Sequence, residues 1–238
     1  GNASRKFDGT QAIIIGDVLD DVFTGGSFSW SFWAKRNSQD STQLIISKHA
    51  DGANTPSEDN RQFVCSFRDN TVGRSLTFGW YGTLTSTAYR FKKTTTPILV
   101  ADGWQHFVCV YDHTAATNDR AKIYRNGVLD MEDWLNLGTP TAIPDGAARL
   151  AFGGSVGSDG SDNTDAPSRA LDGNLSDVRL YDKAITSTEA AQLYADGNIP
   201  DDNLVGWWLR DGKDLRDWSR SRNDGSSFGS TYSIDGPA

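Results

Sequence analysis

The chain has 238 residues and a formal net charge of −8, with 23 Lys and Arg against 31 Asp and Glu. Proteins that bind nucleic acid concentrate positive charge on one face, so this balance argues against a nucleic-acid partner. No apolar run in the sequence, residues 12–15 included, approaches the length needed to cross a membrane. The 8 Trp and 11 Phe can supply one sizeable hydrophobic core, and the length is typical of a single all-β domain.

Strand-like runs bounded by turn-forming residues recur along most of the chain. In one of them Phe28, Trp30 and Phe32 alternate with serines, a period of two that is typical of a strand with one buried face. This spacing predicts an all-β fold, a two-sheet antiparallel sandwich. The predicted strands cover residues 11–15, 28–35, 43–48, 62–67, 75–81, 106–111, 122–125, 148–152, 175–181 and 204–209.

Two local patterns mark a turn and a helix. Asn126-Gly127 predicts a hairpin because both residues tolerate the positive φ of a tight turn. Thr186 and Glu189 form a capping box, in which each side chain binds the backbone N–H of the other, and Gly197 ends the run that follows. We therefore expect one short helix near residues 186–196, as a decoration of an all-β fold.

The two cysteines, Cys65 and Cys109, both lie inside predicted strands. Cysteines in such positions are usually small buried thiols. A disulfide would require their Cα atoms to lie within about 7 Å of each other. We favour free thiols.

The residue patterns of several enzyme classes are missing. Glycosidases need two carboxylates roughly 5–10 Å apart, whereas Glu58 and Glu132 have no second Glu at strand spacing and are expected in loops. Neither a Gly-x-Ser-x-Gly nucleophile turn nor a zinc-type Cys/His spacing occurs. We expect His106 to be a packed structural histidine, and His49 and His113 to lie in loops. The chain is predicted not to be an enzyme.

Five segments, taken in order, carry a resemblance to a known family. They are FDGTQA at 7–12, FSWSFWAK at 28–35, LIISK at 44–48, WQHFVCVYD at 104–112 with KIYRNG at 122–127, and LDGNLSDVRLYDKA at 171–184. These segments resemble the LamG-like and pentraxin-like jelly rolls of the concanavalin A-like lectin/glucanase superfamily. The resemblance implies a jelly-roll sandwich, an architecture that hosts lectins, enzymes and spacers alike. It also implies core positions for Trp30, Trp33, Trp104 and Trp207.

One segment departs from the family order. NLVGWWL at 203–209 and DWSRSRNDG at 217–225 resemble the segment that normally opens these domains, yet here they close the chain. We interpret residues 203–238 as supplying the displaced opening strand of one jelly-roll domain that spans 1–238. The alternative is the start of a further repeat. An unpaired sheet edge is a liability, which favours the first interpretation.

Calcium is the one cofactor that the residues suggest, because Asp carboxylates and loop carbonyls supply the oxygen ligands that it needs. The same residues are equally typical turn formers. One candidate site is the loop at 158–165, although it fails the EF-hand pattern. The other is favoured by the resemblance to pentraxin-like modules and combines Asp8, Asp17, Asp20, Asp21 and Asp177.

Glycan binding in such folds normally uses a solvent-facing aromatic side chain beside polar hydrogen-bonding groups. Four aromatic residues near polar loops are the candidates for ligand binding: Trp80, Tyr81, Tyr89 and Trp134. Burial in the core is the alternative for each of them.

We expect a non-catalytic, lectin-like carbohydrate-binding or adhesion module of a secreted, cell-surface or virion protein, whose partner is a glycan or a surface protein. The chain starts at Gly1 without an initiator Met, so we expect a processed form or part of a larger multidomain or virion assembly. The alternative is a structural or interaction domain without a sugar site, such as a capsid or tail decoration or an adhesin spacer. A polysaccharide lyase or hydrolase is the third class.

Overall fold

The computed structural model describes residues 3–39, 41–50, 60–85, 87–155 and 169–237. These residues contain two α-helices, α1 (Asp20–Gly25) and α2 (Ser187–Asp196). In chain order the strands are β1 (Ser4–Asp8), β2 (Ala12–Gly16), β3 (Phe28–Arg36), β4 (Gln43–Ala50), β5 (Asn60–Phe67), β6 (Leu76–Tyr81), β7 (Tyr89–Lys93), β8 (Gln105–Tyr111), β9 (Ala121–Arg125), β10 (Val128–Leu129), β11 (Glu132–Leu137), β12 (Leu150–Phe152), β13 (Asp172–Tyr181), β14 (Leu204–Trp208), β15 (Ser226–Phe228) and β16 (Thr231–Ser233).

The strands form two sheets. Sheet A has the order β10-β9-β8-β3-β13-β1-β16, with β14 also paired to β13. Sheet B has the order β11-β7-β6-β5-β4-β12-β2-β15. Each of these strand pairs is antiparallel. The predicted all-β, two-sheet antiparallel jelly-roll sandwich is therefore confirmed.

The core lies between the two sheets and is built from alternate residues of their strands. In sheet A, β3 directs Phe28, Trp30 and Phe32 inward, and all three are fully buried. In sheet B, β5 directs Phe63 inward, and its ring centroid lies 5.3 Å from that of Phe28. Each such aromatic stabilises the fold by about 1.5–3 kcal/mol relative to an exposed position. The alternation of aromatic and small polar residues along the strand thus gives the sheet one apolar face, and burial of that face against the other sheet stabilises the sandwich.

The predicted helix is confirmed, together with its cap. The N–H of Thr186 donates to Oε2 of Glu189 at 2.9 Å, and the N–H of Glu189 donates to Oγ1 of Thr186 at 3.3 Å. Gly197 ends α2 with a φ of 63°. The buried side chains of α2, Ala190 and Leu193, pack on the outer face of sheet A. Helix α1 was not predicted, because its Asp-rich start is typical of a turn.

The thiols of Cys65 and Cys109 are free, as predicted. Cys65 lies on β5 of sheet B and Cys109 on β8 of sheet A, so the two side chains meet across the core. Both are fully buried, and their Sγ atoms are 3.7 Å apart. Burial, with Cys109 beside it, raises the pKa of Cys65 well above its usual value.

The C-terminal segment contributes strands to both sheets. β14 pairs with β13 and β16 pairs with β1 in sheet A, whereas β15 pairs with β2 in sheet B. That residues 203–238 supply the strand that opens related domains stays an interpretation. Among the residues that the structure describes, no helix has the length and apolar character needed to cross a membrane.

The family resemblance implied core positions for four tryptophans, and the structure buries one of them fully. Trp30 is fully buried, whereas Trp33, Trp104 and Trp207 are half-buried. Trp208 takes the core position on β14 instead of Trp207, because consecutive residues of a strand point to opposite faces. Trp207 lies outside, with the guanidinium carbons of Arg179 and Arg210 each 4.6 Å from its ring centroid.

Candidate functional site

The outer face of sheet B carries a groove. β5 and β6 direct small side chains to this face, where Ser66 lies opposite Thr77 and Val64 lies opposite Gly79. A Cβ at Gly79 would lie 2.2 Å from Cδ1 of Phe91, so only glycine leaves room for the Phe91 ring to lie across β6. The floor of the groove therefore depends on a glycine in the middle of a strand.

This groove, called the aromatic groove below, has a volume of about 440 Å³. That volume lies within the range typical of sites for small ligands, about 300–1,000 Å³. Its lining combines aromatic, cationic and small polar side chains, namely Thr42, Leu44, His49, Arg61, Val64, Ser66, Arg68, Tyr81, Tyr89, Phe91, Trp134, Leu135 and Arg169.

Four aromatic rings of the groove contact one another at steep angles. The Phe91 ring centroid lies 5.5 Å from that of Tyr81, 5.7 Å from that of Tyr89 and 6.0 Å from that of Trp134, with interplanar angles of 79°, 79° and 89°. Edge-to-face contacts of this kind are favourable and hold rings in fixed orientations. Phe91 and Tyr81 are buried, whereas Tyr89 and Trp134 are half-buried. The latter two therefore present ring surface to a ligand.

Cationic side chains stand over these rings. The guanidinium carbon of Arg68 lies 4.7 Å from the ring centroid of Trp134, and that of Arg61 lies 5.9 Å from the ring centroid of Tyr81. Nε2 of His49 lies 3.4 Å from the Tyr81 hydroxyl. Burial, together with the positive charge of Arg169, lowers the pKa of Arg68. The groove thus offers both stacking surfaces and positive charge.

A second cavity adjoins the aromatic groove and shares Thr42 and Arg169 with it. Its volume is about 530 Å³, and its lining includes Asp8, Gln43 and Asp172. No aromatic side chain lines it among the residues described. It lacks the ring surface on which sugars normally stack.

The structure brings three of the four predicted glycan-contacting residues together. Tyr81, Tyr89 and Trp134 all line the aromatic groove. The prediction of a solvent-facing Trp80 is wrong: Trp80 is fully buried on the inner face of β6, where its ring centroid lies 5.1 Å from that of Tyr111. Trp80 and Tyr81 are consecutive in one strand, so they point to opposite faces.

Sequence reasoning missed several residues of the groove. Phe91 belongs to β7, which was not predicted, and the alternation of Tyr89 and Phe91 was the available signal for that strand.

His49, expected in a loop, is buried on β4, and Glu132, also expected in a loop, lies on β11. Glu58 lies outside the described residues. Arg68 carries no motif that would distinguish it from other surface arginines.

His106 is a packed histidine, as predicted. It lies on β8 and is buried, and Nε2 of its ring is 3.0 Å from the Ser31 hydroxyl. Its ring centroid lies 5.2 Å from that of Trp33 and 6.1 Å from that of Tyr194. Burial, with the positive charge of Arg179, lowers the pKa of His106 to about 3. It takes no part in the aromatic groove.

The five carboxylates predicted to bind calcium do not form a common site. Within the described ranges of the chain, no group of three or more His, Cys, Asp or Glu side chains is placed to hold a metal ion. Oδ1 of Asp8 accepts hydrogen bonds from the N–H and the hydroxyl of Thr10, and Asp21 lies in the first turn of α1. Asp177 accepts from Nε1 of Trp207 at 2.6 Å.

The remaining two carboxylates already have a cation between them. Nζ of Lys48 lies 2.6 Å from Oδ1 of Asp17 and 3.0 Å from Oδ1 of Asp20, and it donates to the carbonyl of Ala148 at 2.6 Å. The lysine side chain is fully buried. The ammonium group of Lys48 thus lies between two of the five carboxylates that the sequence suggested as metal ligands. The other predicted calcium loop, 158–165, lies outside the described residues, so calcium binding itself stays a prediction.

Replacing this lysine tests the interpretation. We expect Lys48→Met to lower the free energy of unfolding by about 1–2 kcal/mol, because charge-assisted hydrogen bonds are lost while the half-exposed carboxylates can still be hydrated. Urea denaturation at pH 7 measures the change. Lys6→Met, at an exposed position on β1, is the control and should change stability by less than about 0.5 kcal/mol. Equal midpoints for the two variants would contradict the structural role of Lys48.

Several solved structures are similar to the structure of this chain. The structure is similar to that of a protein from Bacteroides ovatus ATCC 8483 described as carbohydrate-binding, with a TM-score of 0.66 and 19% identity over 98% of this chain. The chain spans 59% of the length of that protein. A heptameric SAP-like pentraxin from Limulus polyphemus matches with a TM-score of 0.63 and 18% identity, over 98% of this chain and 95% of the pentraxin.

A third similar structure is the CBM40 of the Ruminococcus gnavus IT-sialidase bound to α2,3 sialyllactose. It has a TM-score of 0.54 and 12% identity, over 82% of this chain and 100% of the other. No curated protein sequence matches the chain. A family profile, Laminin_G_3, matches residues 7–191, most of the chain. The chain therefore belongs to this family of the concanavalin A-like lectin/glucanase superfamily.

Proposed function

We propose that this chain is a non-catalytic carbohydrate-binding module and that the aromatic groove binds the glycan. The observation that carries the proposal is the half-exposed ring surface of Tyr89 and Trp134 beside the guanidinium of Arg68 in one groove. Sugars present apolar C–H faces that pack on aromatic rings, and hydroxyls that need hydrogen-bonding groups nearby. The groove supplies both within one site.

The similar structures support the same function. The Bacteroides ovatus protein is described as carbohydrate-binding, and the Ruminococcus gnavus domain was solved with a bound sialyllactose. We propose that the module belongs to a secreted, cell-surface or virion protein, where it would meet extracellular glycans. Its aromatic groove offers stacking and positive charge, whereas glycoside hydrolysis would require a pair of carboxylates.

Removing the main stacking surface tests the proposal. We expect Trp134→Ala to weaken glycan binding about 10- to 100-fold, because aromatic anchors contribute most of the binding energy at such sites. Isothermal titration with the ligands identified on a glycan array, at millimolar calcium and with a chelator, measures the effect. Trp218→Ala is the matched control, since Trp218 is 37% exposed and lies outside the groove.

Three outcomes would contradict the proposal. If no glycan on the array binds and the protein associates tightly with itself, the chain is a structural or interaction domain. If incubation with polysaccharides releases new reducing ends or unsaturated products, the chain is a hydrolase or lyase. Equal affinities of the Trp134 and Trp218 variants would place the glycan outside the aromatic groove.

A further inference from the structure

The charged side chains described in the aromatic groove contrast with the acidic character of the whole chain. The chain carries a formal charge of −8, yet among the described residues the charged side chains that line the groove are Arg61, Arg68 and Arg169, with no Asp or Glu. A positive cleft concentrates anionic ligands and repels cationic ones. The charged lining of the groove therefore favours a subset of carbohydrates, those that carry negative charge.

Arg68 is held against the Trp134 ring, a contact that does not neutralise its charge. Its guanidinium stacks on Trp134, and its Nε is buried without a hydrogen-bond partner among the described residues. The adjacent carboxylate, Asp69, accepts a hydrogen bond from the N–H of Thr71 at 2.9 Å instead. Burial and the nearby Arg169 disfavour the charged form of Arg68, and together they outweigh the opposite influence of Asp69 and Tyr81, so the pKa of Arg68 is lowered. A bound oxyanion would oppose both effects, since an opposite charge nearby favours the charged form.

The position of Arg68 suits a sugar that carries its charge on the ring. A guanidinium presents parallel N–H donors that match the two oxygens of a carboxylate, and it matches sulfate oxygens in the same way. Because Arg68 lies directly over Trp134, a sugar stacked beside that ring would bring its acidic substituent to the guanidinium. From this juxtaposition we infer that the aromatic groove selects acidic carbohydrates, with Arg68 binding the carboxylate or sulfate of the sugar.

The inference rests on the proposed function and is tested with pairs of ligands that differ in charge alone. The carboxylate pairs are oligogalacturonate with its methyl ester, and sialyllactose with the methyl ester of its sialic acid; the sulfate pair is a sulfated galactan oligosaccharide with its desulfated form. We expect the acidic member of at least one pair to bind about 10- to 100-fold more tightly, as charge-assisted hydrogen bonds imply. This preference should shrink as salt is raised from 0.05 to 0.5 M, because salt screens charges at a partly open site.

The variant Arg68→Gln identifies the residue responsible. It should abolish the preference for the acidic member while the affinity for the neutral member changes less than about threefold, since the aromatic rings remain. Arg220→Gln is the matched control: it removes the same charge from an exposed position of the C-terminal segment and should leave the preference intact. Thermal melts of both variants establish that they are folded.

The outcomes separate this inference from the proposed function. Binding of neutral and acidic members with equal affinity, combined with loss of binding in Trp134→Ala, overturns the acidic selectivity and leaves the carbohydrate site in place. An acidic preference that survives in Arg68→Gln overturns the role of Arg68. The absence of binding to every member of every pair overturns both proposals. A preference confined to the sulfate pair, or to the carboxylate pairs, supports the inference and identifies the anion.

Discussion

Truncation of the chain after Ile199 is expected to abolish cooperative folding of the whole domain. The truncation removes β14, β15 and β16, and with them one partner of β13, one of β2 and one of β1. All three strands would gain unpaired edge residues, since β1 covers only residues 172–175 of β13, and unpaired edges favour aggregation. We therefore expect the C-terminal segment to be essential for the stability of the fold, although it lies at the end of the chain.

The largest single contribution of the segment is Trp208. This side chain is fully buried, and its ring centroid lies 5.4 Å from that of Phe152 and 6.2 Å from that of Trp30. Loss of a buried Trp alone costs about 3–5 kcal/mol. Domains of this kind have a total stability of about 5–15 kcal/mol, so the further loss of three strands leaves little or none.

Calorimetry and chemical denaturation measure this effect. Truncation after Asp235 is the control, because it keeps all three strands and the ion pair between Asp235 and Lys35. We expect the control to melt close to the full chain, Trp208→Ala to lose about 3–5 kcal/mol, and truncation after Ile199 to show no cooperative transition. A cooperative, unshifted melt of the long truncation would show that residues 200–238 are not part of this folding unit.

Acidification is expected to destabilise the protein between pH 6.5 and pH 3 through His106. Burial lowers the pKa of His106 to about 3 in the folded state, whereas the unfolded chain has the ordinary value of about 6.5. Below pH 6.5 the unfolded state therefore binds a proton that the folded state excludes. Stability is full above pH 6.5 and falls by about 1.4 kcal/mol per pH unit as the pH drops towards 3. The loss reaches about 2 kcal/mol at pH 5 and about 4–5 kcal/mol at pH 3.

Chemical denaturation at pH 7.5, 6.5, 5.5 and 5.0 isolates this effect, because carboxylates titrate mainly below that range. His106→Gln is the decisive variant: it should lower stability at pH 7.5 and flatten the dependence on pH. His113→Gln, at a half-buried position outside β8, is the control and should keep the slope of the unsubstituted protein. The same slope in the His106 variant and in the unsubstituted protein would show that His106 is not the titrating group.

The strands and the helix were predictable because their signals are local. Phe28, Trp30 and Phe32 alternate in sequence, and Thr186 caps its helix through a residue only three positions away. The groove was predictable in part, since aromatic residues near polar loops pointed to Tyr89 and Trp134. Which of two adjacent aromatics faces outward was not resolved, so Trp80 was placed in solvent although it is buried.

The sequence by itself determined the sandwich class, the capped helix and the superfamily, because these depend on periodicity and on residues close together in the chain. Only the tertiary structure decided which charges meet. Lys48 is separated from Asp17 by 31 positions, and Trp134 lies 66 positions beyond Arg68 in the chain. Such contacts are created by the pairing of distant strands, and their geometry decides whether an aspartate holds a metal or a lysine, and whether an arginine faces a groove or solvent.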